Sequence, residues 1–356
     1  MDNSASDNAW PVRRGGQPVI RVIGLGGGGT NAVRYMLQQG IPSTDYLCAN
    51  TDTQHLDAIP DSHKISLSES GLGAGANPQV GQAAAESRRA VIEGHLQGAD
   101  MLFIAAGMGG GTGTGAAPVV AEIARSMGIL TVAVVTRPFQ FEGARRMRIA
   151  EQGIKDLVSV VDSLIVIPNQ KLLEVLGSRF DIQDAFNEAN AVLYDAVRGI
   201  TDIVTQTGMV NVDFEDLRTV MASQGLAMMG TGSASGADRA MMAAREALRC
   251  PLLDISGLRQ AQGVLVNISA QDVSLGELDE VMQHVREMTE EDVTMVVGCR
   301  CDDSLPQEIL TVTVVMTGLN PIPAMQSIPL QPEPQSSSDL DVIPLLQSRA
   351  IPQPSD

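Results

Sequence analysis

The chain has 356 residues, 44% of them hydrophobic, a composition typical of a globular protein with room for two packed domains. Its formal net charge of −18 argues against a nucleic-acid partner, because a phosphate backbone would be repelled. No run approaches the roughly 18 apolar residues of a membrane span, and residues 1–18 contain no apolar core of signal-peptide length. We therefore expect a cytoplasmic protein that does not insert into the membrane.

Strand-like and helix-like segments alternate between residues 19 and 180. The strand-like runs are VIRVIGL, DYLCAN, ADMLFIAAG, TVAVVTRPF and DSLIVIPN, with segments of helical length between them. This alternation is typical of a parallel sheet with helices on both faces, and near-continuous apolar strands suit a sheet that is covered on both sides. The prediction is an α/β fold with a doubly wound parallel sheet.

A long central helix, 181–208, is predicted next, with Asp181 as its N-cap and Gly208 beyond its helical run. Residues 209–319 predict a smaller α+β domain, with a helix from Asp213, a Gly/Ser-punctuated run GTGSASG and three later strand-like runs. The 37 residues after 319 hold 8 of the 18 prolines. We expect this tail, like residues 1–18, to be disordered.

The first candidate ligand site is the glycine run GLGGGG at residues 24–29. It follows a strand, precedes a helix and matches the GxGxxG pattern of dinucleotide-binding folds, with Asp45 and Asp52 near the spacing of a ribose-binding acid. An NAD-dependent oxidoreductase therefore stays an alternative, although none of the four histidines is an evident catalytic base. A P-loop is excluded, because none of the three lysines follows a glycine run.

A second glycine run, GMGGGTGTG at residues 107–115, follows a different strand and also precedes a helix. Each glycine costs about 0.5 to 1 kcal/mol relative to alanine in a regular element, so this density needs a reason. Two such runs at the carboxyl ends of neighbouring strands would surround a polyphosphate with backbone N–H donors. A flexible structural turn is the alternative for each run.

Several segments, taken in order, resemble the bacterial FtsZ proteins of the tubulin/FtsZ superfamily. They are GLGGGGTNAV, ANTDTQHL, GLGAGANPQVG, GMGGGTGTG, TRPFQFEGARRM, IPNQKLL, NVDFEDLRTVM and AMMGTGSASG, and the resemblance covers roughly residues 19–319. The resemblance implies a tubulin-like fold and a GTPase that forms the cytoplasmic ring of cell division at mid-cell. It also implies that residues 19–180 form the GTP-binding domain.

The resemblance assigns a set of residues to GTP or GDP. They are Gly26, Gly27, Gly28, Asn31, Asn50, Asp52, Ala76, Asn77, Gly109, Gly110, Gly111, Thr112, Gly113, Glu142, Arg146, Asn169, Phe186 and Asn190. Those up to Gly113 would lie at the phosphates or beside the nucleotide, and the rest at the ribose and base. From the sequence alone, Glu142 and Arg146 also fit an exposed i,i+4 ion pair, and Phe186 also fits a core position.

The resemblance further implies that hydrolysis needs a second subunit. Asp213 and Asp216, with Asn211 beside them, would reach the nucleotide of the next subunit and polarise the attacking water. The same two aspartates also fit a plain helix cap, which is compatible with that role. Because no lysine is near the glycine runs, we expect Mg²⁺ to balance the phosphate charge.

Assembly and partners follow from the same resemblance. We expect a homo-polymer of head-to-tail protofilaments, with a linker over 320–338 and a partner-binding peptide over 339–356. Its segment Asp339–Arg349 would bind membrane-tethering and regulatory division proteins. The stretch 64–71 is about three residues shorter than the family pattern, so a divergent paralogue that binds GTP and co-assembles but hydrolyses poorly is the alternative.

Overall fold

The computed structural model describes residues 17–176, 181–205, 208, 212–250, 253, 260–290, 292–302 and 305–319. The predicted tail, linker and peptide, residues 1–16 of the predicted N-terminal arm, and Asn211 lie outside these residues. Within them, no helix is both long enough and apolar enough to span a bilayer.

The first half of the described chain alternates strands and helices, as predicted. Its elements are β1 (Ile20–Leu25), α1 (Gly26–Gln39), β2 (Thr44–Asn50), β3 (Lys64–Ser66), α2 (Pro78–Ser87), α3 (Arg89–Leu96), β4 (Met101–Gly107), α4 (Thr112–Ser126), β5 (Leu130–Arg137), α5 (Ala144–Val158), β6 (Ser163–Pro168) and α6 (Asn169–Leu176). All residues of β1 are buried, as are those of β4 up to Ala106, because helices cover both faces of the sheet.

A 24-residue helix, α7 (Ile182–Thr205), follows. Asp181 caps it as predicted, since the backbone N–H of Asp184 donates to the Asp181 carboxylate at 2.8 Å. The remaining elements are α8 (Phe214–Met221), β7 (Leu226–Ser235), α9 (Arg239–Leu248), β8 (Gly263–Ala270), α10 (Leu275–Met288), β9 (Thr294–Cys301) and β10 (Ile309–Leu319).

The strands form one sheet in the order β3-β2-β1-β4-β5-β6-β7-β10-β8-β9. Neighbours from β3 through β7 are parallel, β10 pairs antiparallel with both β7 and β8, and β9 is parallel to β8. The strand order reverses between β1 and β4, which is where open parallel sheets bind ligands at their carboxyl ends.

Strand β7 includes most of the Gly/Ser-punctuated run GTGSASG, which the sequence analysis did not assign to a strand. Glycine and serine have low strand propensities, so the composition of this run does not indicate a strand. The glycines have a packing reason instead: a Cβ on Gly230 would overlap the carbonyl oxygen of Ala247, and one on Gly232 that of Ala243. Small residues on β7 therefore let α9 lie directly against the sheet.

Candidate functional site

The two glycine runs meet side by side at the edge where the strand order reverses. Leu25, at the end of β1, is paired with Ala106 of β4, so both strands deliver their glycines to the same place. A Cβ on Gly26 would lie 2.8 Å from the backbone nitrogen of Gly113, and one on Gly28 would lie 3.2 Å from Gly107. The predicted convergence of the two runs is thus present in the structure.

Both runs open onto helices, and each contains a glycine that backbone geometry requires. The first run is mostly helical, because α1 already begins at Gly26, whose φ is +68°. In the second run Gly109 has φ +97°, and a Cβ there would lie 2.6 Å from the Arg146 carbonyl oxygen. The first backbone N–H groups of α1 and α4 have no partners within their helices, which makes this edge suited to anions.

A cavity of about 450 Å³ lies against the runs and within the usual size range of ligand sites. Sixteen of the 18 residues assigned to the nucleotide line it. They are Gly26, Gly27, Gly28, Asn31, Asn50, Asp52, Ala76, Gly110, Gly111, Thr112, Gly113, Glu142, Arg146, Asn169, Phe186 and Asn190. The structure therefore brings together residues that are up to 164 positions apart in the sequence, from Gly26 to Asn190.

The other two, Asn77 and Gly109, do not line this cavity. The Asn77 side chain caps α2 by accepting a 3.0 Å hydrogen bond from the backbone of Gln79, and it faces a neighbouring cavity. Gly109 is buried, and its N–H donates to the Thr114 hydroxyl at 2.8 Å. Asn77 and Gly109 therefore lie outside the cavity, next to or within the second glycine run. The Thr114 hydroxyl is occupied by the hydrogen bond that it accepts from Gly109.

Sequence reasoning missed other residues that line the cavity, among them His55, Leu72, Thr136, Pro138 and Ala189. The imidazole of His55 can donate or accept a hydrogen bond, and His55 lies three positions after Asp52. Its signal in the sequence was weak, because an isolated polar residue after a strand is usually solvated.

Two asparagines in the cavity wall carry polar atoms that lack a partner in the structure. Asn50 and Asn169 are 2% and 3% exposed, and the Nδ2 atom of Asn50 and the Oδ1 atom of Asn169 are buried without a hydrogen bond. Leaving such a group unpaired costs about 1 to 3 kcal/mol, so it indicates a ligand atom or an ordered water at that position. The cavity wall therefore offers hydrogen-bonding groups to a polar ligand.

The far side of the cavity combines an ion pair with aromatic rings. Arg146 Nη1 lies 3.0 Å from Glu142 Oε2, so the predicted i,i+4 pair is present and also lines the cavity. Glu142 Oε1 accepts a 2.8 Å hydrogen bond from the backbone of Phe139. The Phe186 ring is 42% exposed and packs edge-on against Phe139 at 5.2 Å. The exposed ring argues against the alternative, a core position for Phe186.

The segment 71–76 closes one side of the cavity and is tied to the end of β2. Gly73 N–H donates to the Thr51 carbonyl at 3.1 Å, and Thr53 N–H donates to the Gly71 carbonyl at 3.2 Å. Ala76 has φ +56°, a left-handed conformation that is uncommon outside glycine. Ala76 is one of the residues that the resemblance assigns to the nucleotide.

Asp213 and Asp216 lie away from this cavity in the same chain. Both are exposed at the start of α8, and neither lines the cavity. The Asp216 N–H donates to Asp213 Oδ1 at 2.8 Å, so the predicted helix cap is present. Within the described residues, the acidic side chains that do line the cavity are Asp52 and Glu142.

A larger cavity of about 820 Å³ lies beside the first, between α2, α4 and α5. It shares Gly75 and Ala76 with the first cavity, and its lining includes long polar side chains such as Gln82, Arg148 and Gln152. The smaller cavity is the stronger candidate, because it alone of the two faces both glycine runs and the starts of α1 and α4.

Comparison with known proteins decides the family. The model of the tubulin/FtsZ family GTPase domain matches residues 19–177, and the model of the FtsZ family C-terminal domain matches residues 225–320. The chain belongs to the FtsZ family.

FtsZ relatives resemble it over nearly its whole length. The chain is 50% identical to the cell division protein FtsZ of Coxiella burnetii over 325 residues, which are 90% of this chain and 84% of that one. It is 53% identical to FtsZ of Pseudomonas aeruginosa over 305 residues, 85% and 77% of the two chains. A solved structure titled as an empty FtsZ dimer from M. jannaschii matches with a TM-score of 0.80 at 40% identity, covering 85% of this chain and 88% of that one.

FtsZ family membership makes this chain a GTPase of cell division that binds GTP and GDP. Its fold is the predicted one, a mostly parallel α/β sheet followed by a C-terminal FtsZ domain. The oxidoreductase alternative is wrong, because the matching family is a GTPase family. The alternative of a poorly hydrolysing paralogue is not favoured by these relatives.

Proposed function

We propose that the 450 Å³ cavity holds the guanine nucleotide and that a second copy of the chain completes the site with Asp213 and Asp216. The proposal rests on one observation: the two acidic side chains that line the cavity already have partners within the chain. Asp52 accepts hydrogen bonds on both oxygens, from the Gln54 backbone and the His55 ring, and Glu142 is bound to Arg146 and Phe139. An acid that positions water must then come from elsewhere.

The phosphates fit the glycine side of the cavity. The backbones of Gly26–Gly28 and Gly110–Gly113 lie there without side chains in the way; nothing stands within 4 Å of a Cβ on Gly110, so that position opens into the cavity. The starts of α1 and α4 point their N–H groups at the same edge and favour negative charge. Asn31, Asp52, Ala76 and Thr112 also line this cavity, and Asn77, next to Ala76 in the sequence, lines the neighbouring one.

The ribose and base fit the opposite side. Phe186 and Asn190 are four residues apart on α7 and both line the cavity, so an aromatic face and an amide can meet the base together. Asn169 starts α6 and presents its unpaired oxygen in the same wall. Glu142 and Arg146 offer charged hydrogen-bonding groups to the ribose.

The acids of α8 are well placed for a neighbouring copy. Their helix is anchored by buried Leu217, Val220 and Met221, while Asp213 and Asp216 are exposed at its start. In this proposal they polarise the attacking water in the neighbour's cavity, and Asn211, outside the described residues, lies next to them in sequence. Binding would thus join the α8 end of one subunit to the cavity of the next.

The rim of the cavity has the exposed apolar side chains that such a contact needs. Leu72, which lines the cavity, is 88% exposed, and Phe141, next to the lining residue Glu142, is 61% exposed. Different faces of two copies would meet, so the contact repeats without closing and gives a head-to-tail filament. The M. jannaschii relative, whose structure is titled a dimer, supports self-assembly.

A divalent cation fits this site as a partner of the phosphates. Each oxygen of Asp52 already accepts one hydrogen bond, so the ligands of Mg²⁺ would be mainly phosphate oxygens and water, as is usual for this ion. When bound, Mg²⁺ would supply charge neutralisation at the phosphates.

The wider cellular role follows from the family. Residues 19–180 would bind nucleotide, the helix 181–208 would connect them to the domain 209–319, and the peptide around Asp339–Arg349 would bind membrane tethers through the linker 320–338. Filaments held in this way would assemble at mid-cell in the cytoplasm. The relatives named cell division protein FtsZ support this placement.

The test is GTP turnover measured against protein concentration, with electron microscopy of the same samples. Turnover per chain should rise with concentration, and filaments should form with GTP, because each active site needs two chains. Constant turnover per chain without filaments would contradict the proposal. Asp216→Ala should keep GDP binding and lose turnover.

A further inference from the structure

His55 lies in the wall of the nucleotide cavity and has no role in the mechanism above. Its Nδ1 atom is 3.0 Å from Asp52 Oδ2. Its Nε2 atom lies 3.5 Å from the position that a Cβ on Gly27 would occupy, and this is the nearest heavy atom to that position. The ring therefore stands against the first glycine run, where the phosphates are proposed to lie.

The position of the ring is fixed by its surroundings. His55 belongs to a short 3-10 turn, Gln54–Leu56, whose Leu56 side chain is only 3% exposed. The Asp52 carboxylate accepts from the Gln54 backbone at 3.0 Å with one oxygen and meets His55 with the other. With Nδ1 turned to Asp52, Nε2 is the nitrogen left for a ligand.

The charge balance of the cavity points to a role for the Nε2 atom of His55. Among the described residues that line it, the cations are Arg146 and, when protonated, His55. Arg146 is already 3.0 Å from Glu142, and Asp52 adds another negative charge. A nucleoside diphosphate or triphosphate brings several more, so the phosphate side lacks positive charge except from His55 and helix N-termini.

We propose that His55 is a phosphate-contacting residue of this site, its protonated ring donating through Nδ1 to Asp52 and through Nε2 to a phosphate oxygen of the bound nucleotide. The proposal rests on the placement of the nucleotide in this cavity. The other charged side chains that line the same cavity are Asp52, Glu142 and Arg146.

One consequence distinguishes this role from simple packing. The ring contributes to binding only when a phosphate is present, so it should matter for GDP and not for guanosine.

The experiment measures displacement of a fluorescent guanine nucleotide by GDP and by guanosine, on nucleotide-free full-length protein below its assembly concentration. It compares the natural chain with His55→Ala, His55→Gln and, as a matched histidine control, His284→Ala on α10. Thermal unfolding of each nucleotide-free variant checks that the fold is unchanged.

We expect His55→Ala to weaken GDP binding roughly threefold to tenfold, with guanosine binding unchanged. His55→Gln keeps a donor without the charge, so its affinity for GDP should lie between those of the natural chain and His55→Ala. Equal GDP affinity of His55→Ala and the natural chain would overturn the proposal, and so would equal losses for GDP and guanosine. Failure of the natural chain to bind GDP would instead contradict the proposed nucleotide site.

Discussion

The backbone N–H of Asp216 donates a 2.8 Å hydrogen bond to the Asp213 carboxylate at the start of α8. One bond thus connects the two residues proposed for catalysis, and it also satisfies one of the free donors of the helix. Structural and catalytic roles of Asp213 must therefore be separated by substitution.

Asp213→Asn should separate them. Asparagine caps helices about as well as aspartate, so the free energy of unfolding should stay within about 0.5 kcal/mol of the natural chain. Turnover should drop at least tenfold, because the carboxylate is lost. Asp213→Ala should lose turnover and also about 1 kcal/mol of stability. Urea unfolding and GTP turnover measure the two effects, and full turnover in Asp213→Asn would assign Asp213 to capping alone.

The base side of the cavity can be tested on α7. Asn190→Ala should weaken GDP binding roughly tenfold and reduce the preference for guanine over adenine nucleotides, because a hydrogen-bonding site left unpaired discriminates strongly. Phe186→Leu should weaken binding of both nucleotides, since only the ring face is lost. The matched control is Asn187→Ala, an exposed neighbour on the same helix that does not line the cavity. Equal effects of Asn187→Ala and Asn190→Ala would remove Asn190 from the site.

The fold was predictable because its strands are apolar runs with helical segments between them, and the register at Leu25 and Ala106 follows from that order. Asn77 has a role that the sequence analysis did not state. The resemblance assigns it to the nucleotide, and the structure has it as the cap of α2, which the pattern of Asn followed by Pro also predicts. His55 could not be found from the sequence, because its position depends on how the chain turns after β2.

Close packing of α2 against α4 predicts a strong contrast between two helical glycines. A Cβ on Gly115 would overlap the Pro78 carbonyl oxygen, whereas nothing lies within 4 Å of a Cβ on Gly94 in α3. Gly115→Ala should lower the free energy of unfolding by about 1 to 3 kcal/mol. Gly94→Ala should raise it by about 0.5 to 1 kcal/mol. Urea denaturation of both variants measures this, and similar small effects would show that the helices are not in this close contact.

Acid stability depends on the ion pair between α9 and α10. The Arg239 guanidinium, 2.6 Å from Glu277, lowers the pKa of that carboxyl to about 2. Since the pKa is depressed in the folded state, the stabilisation is present above the unfolded value of about 4.3 and is lost as pH falls towards about 2. Glu277→Gln should cost roughly 1 to 2 kcal/mol at pH 7, after allowance for solvent screening, and progressively less below pH 4.3.

Urea unfolding of the natural chain and Glu277→Gln at pH 7, 5, 4 and 3, without nucleotide, gives this difference directly. Glutamine still fits the cap with Ser274, so loss of charge is the main change. A difference that stays constant from pH 7 to pH 3 would mean that the carboxylate charge does not stabilise the fold.

The most direct test of the shared site is complementation between two inactive variants. Asp216→Ala keeps its cavity but lacks the proposed acid, and Gly110→Val keeps its acids but fills the cavity, since its side chain extends into open space. Each alone should show little turnover. In an equal mixture, about a quarter of the contacts pair an intact cavity with an intact acid, so turnover should recover to about a quarter of the natural rate. A mixture no more active than its components, despite formation of mixed filaments, would contradict a site completed by the next subunit.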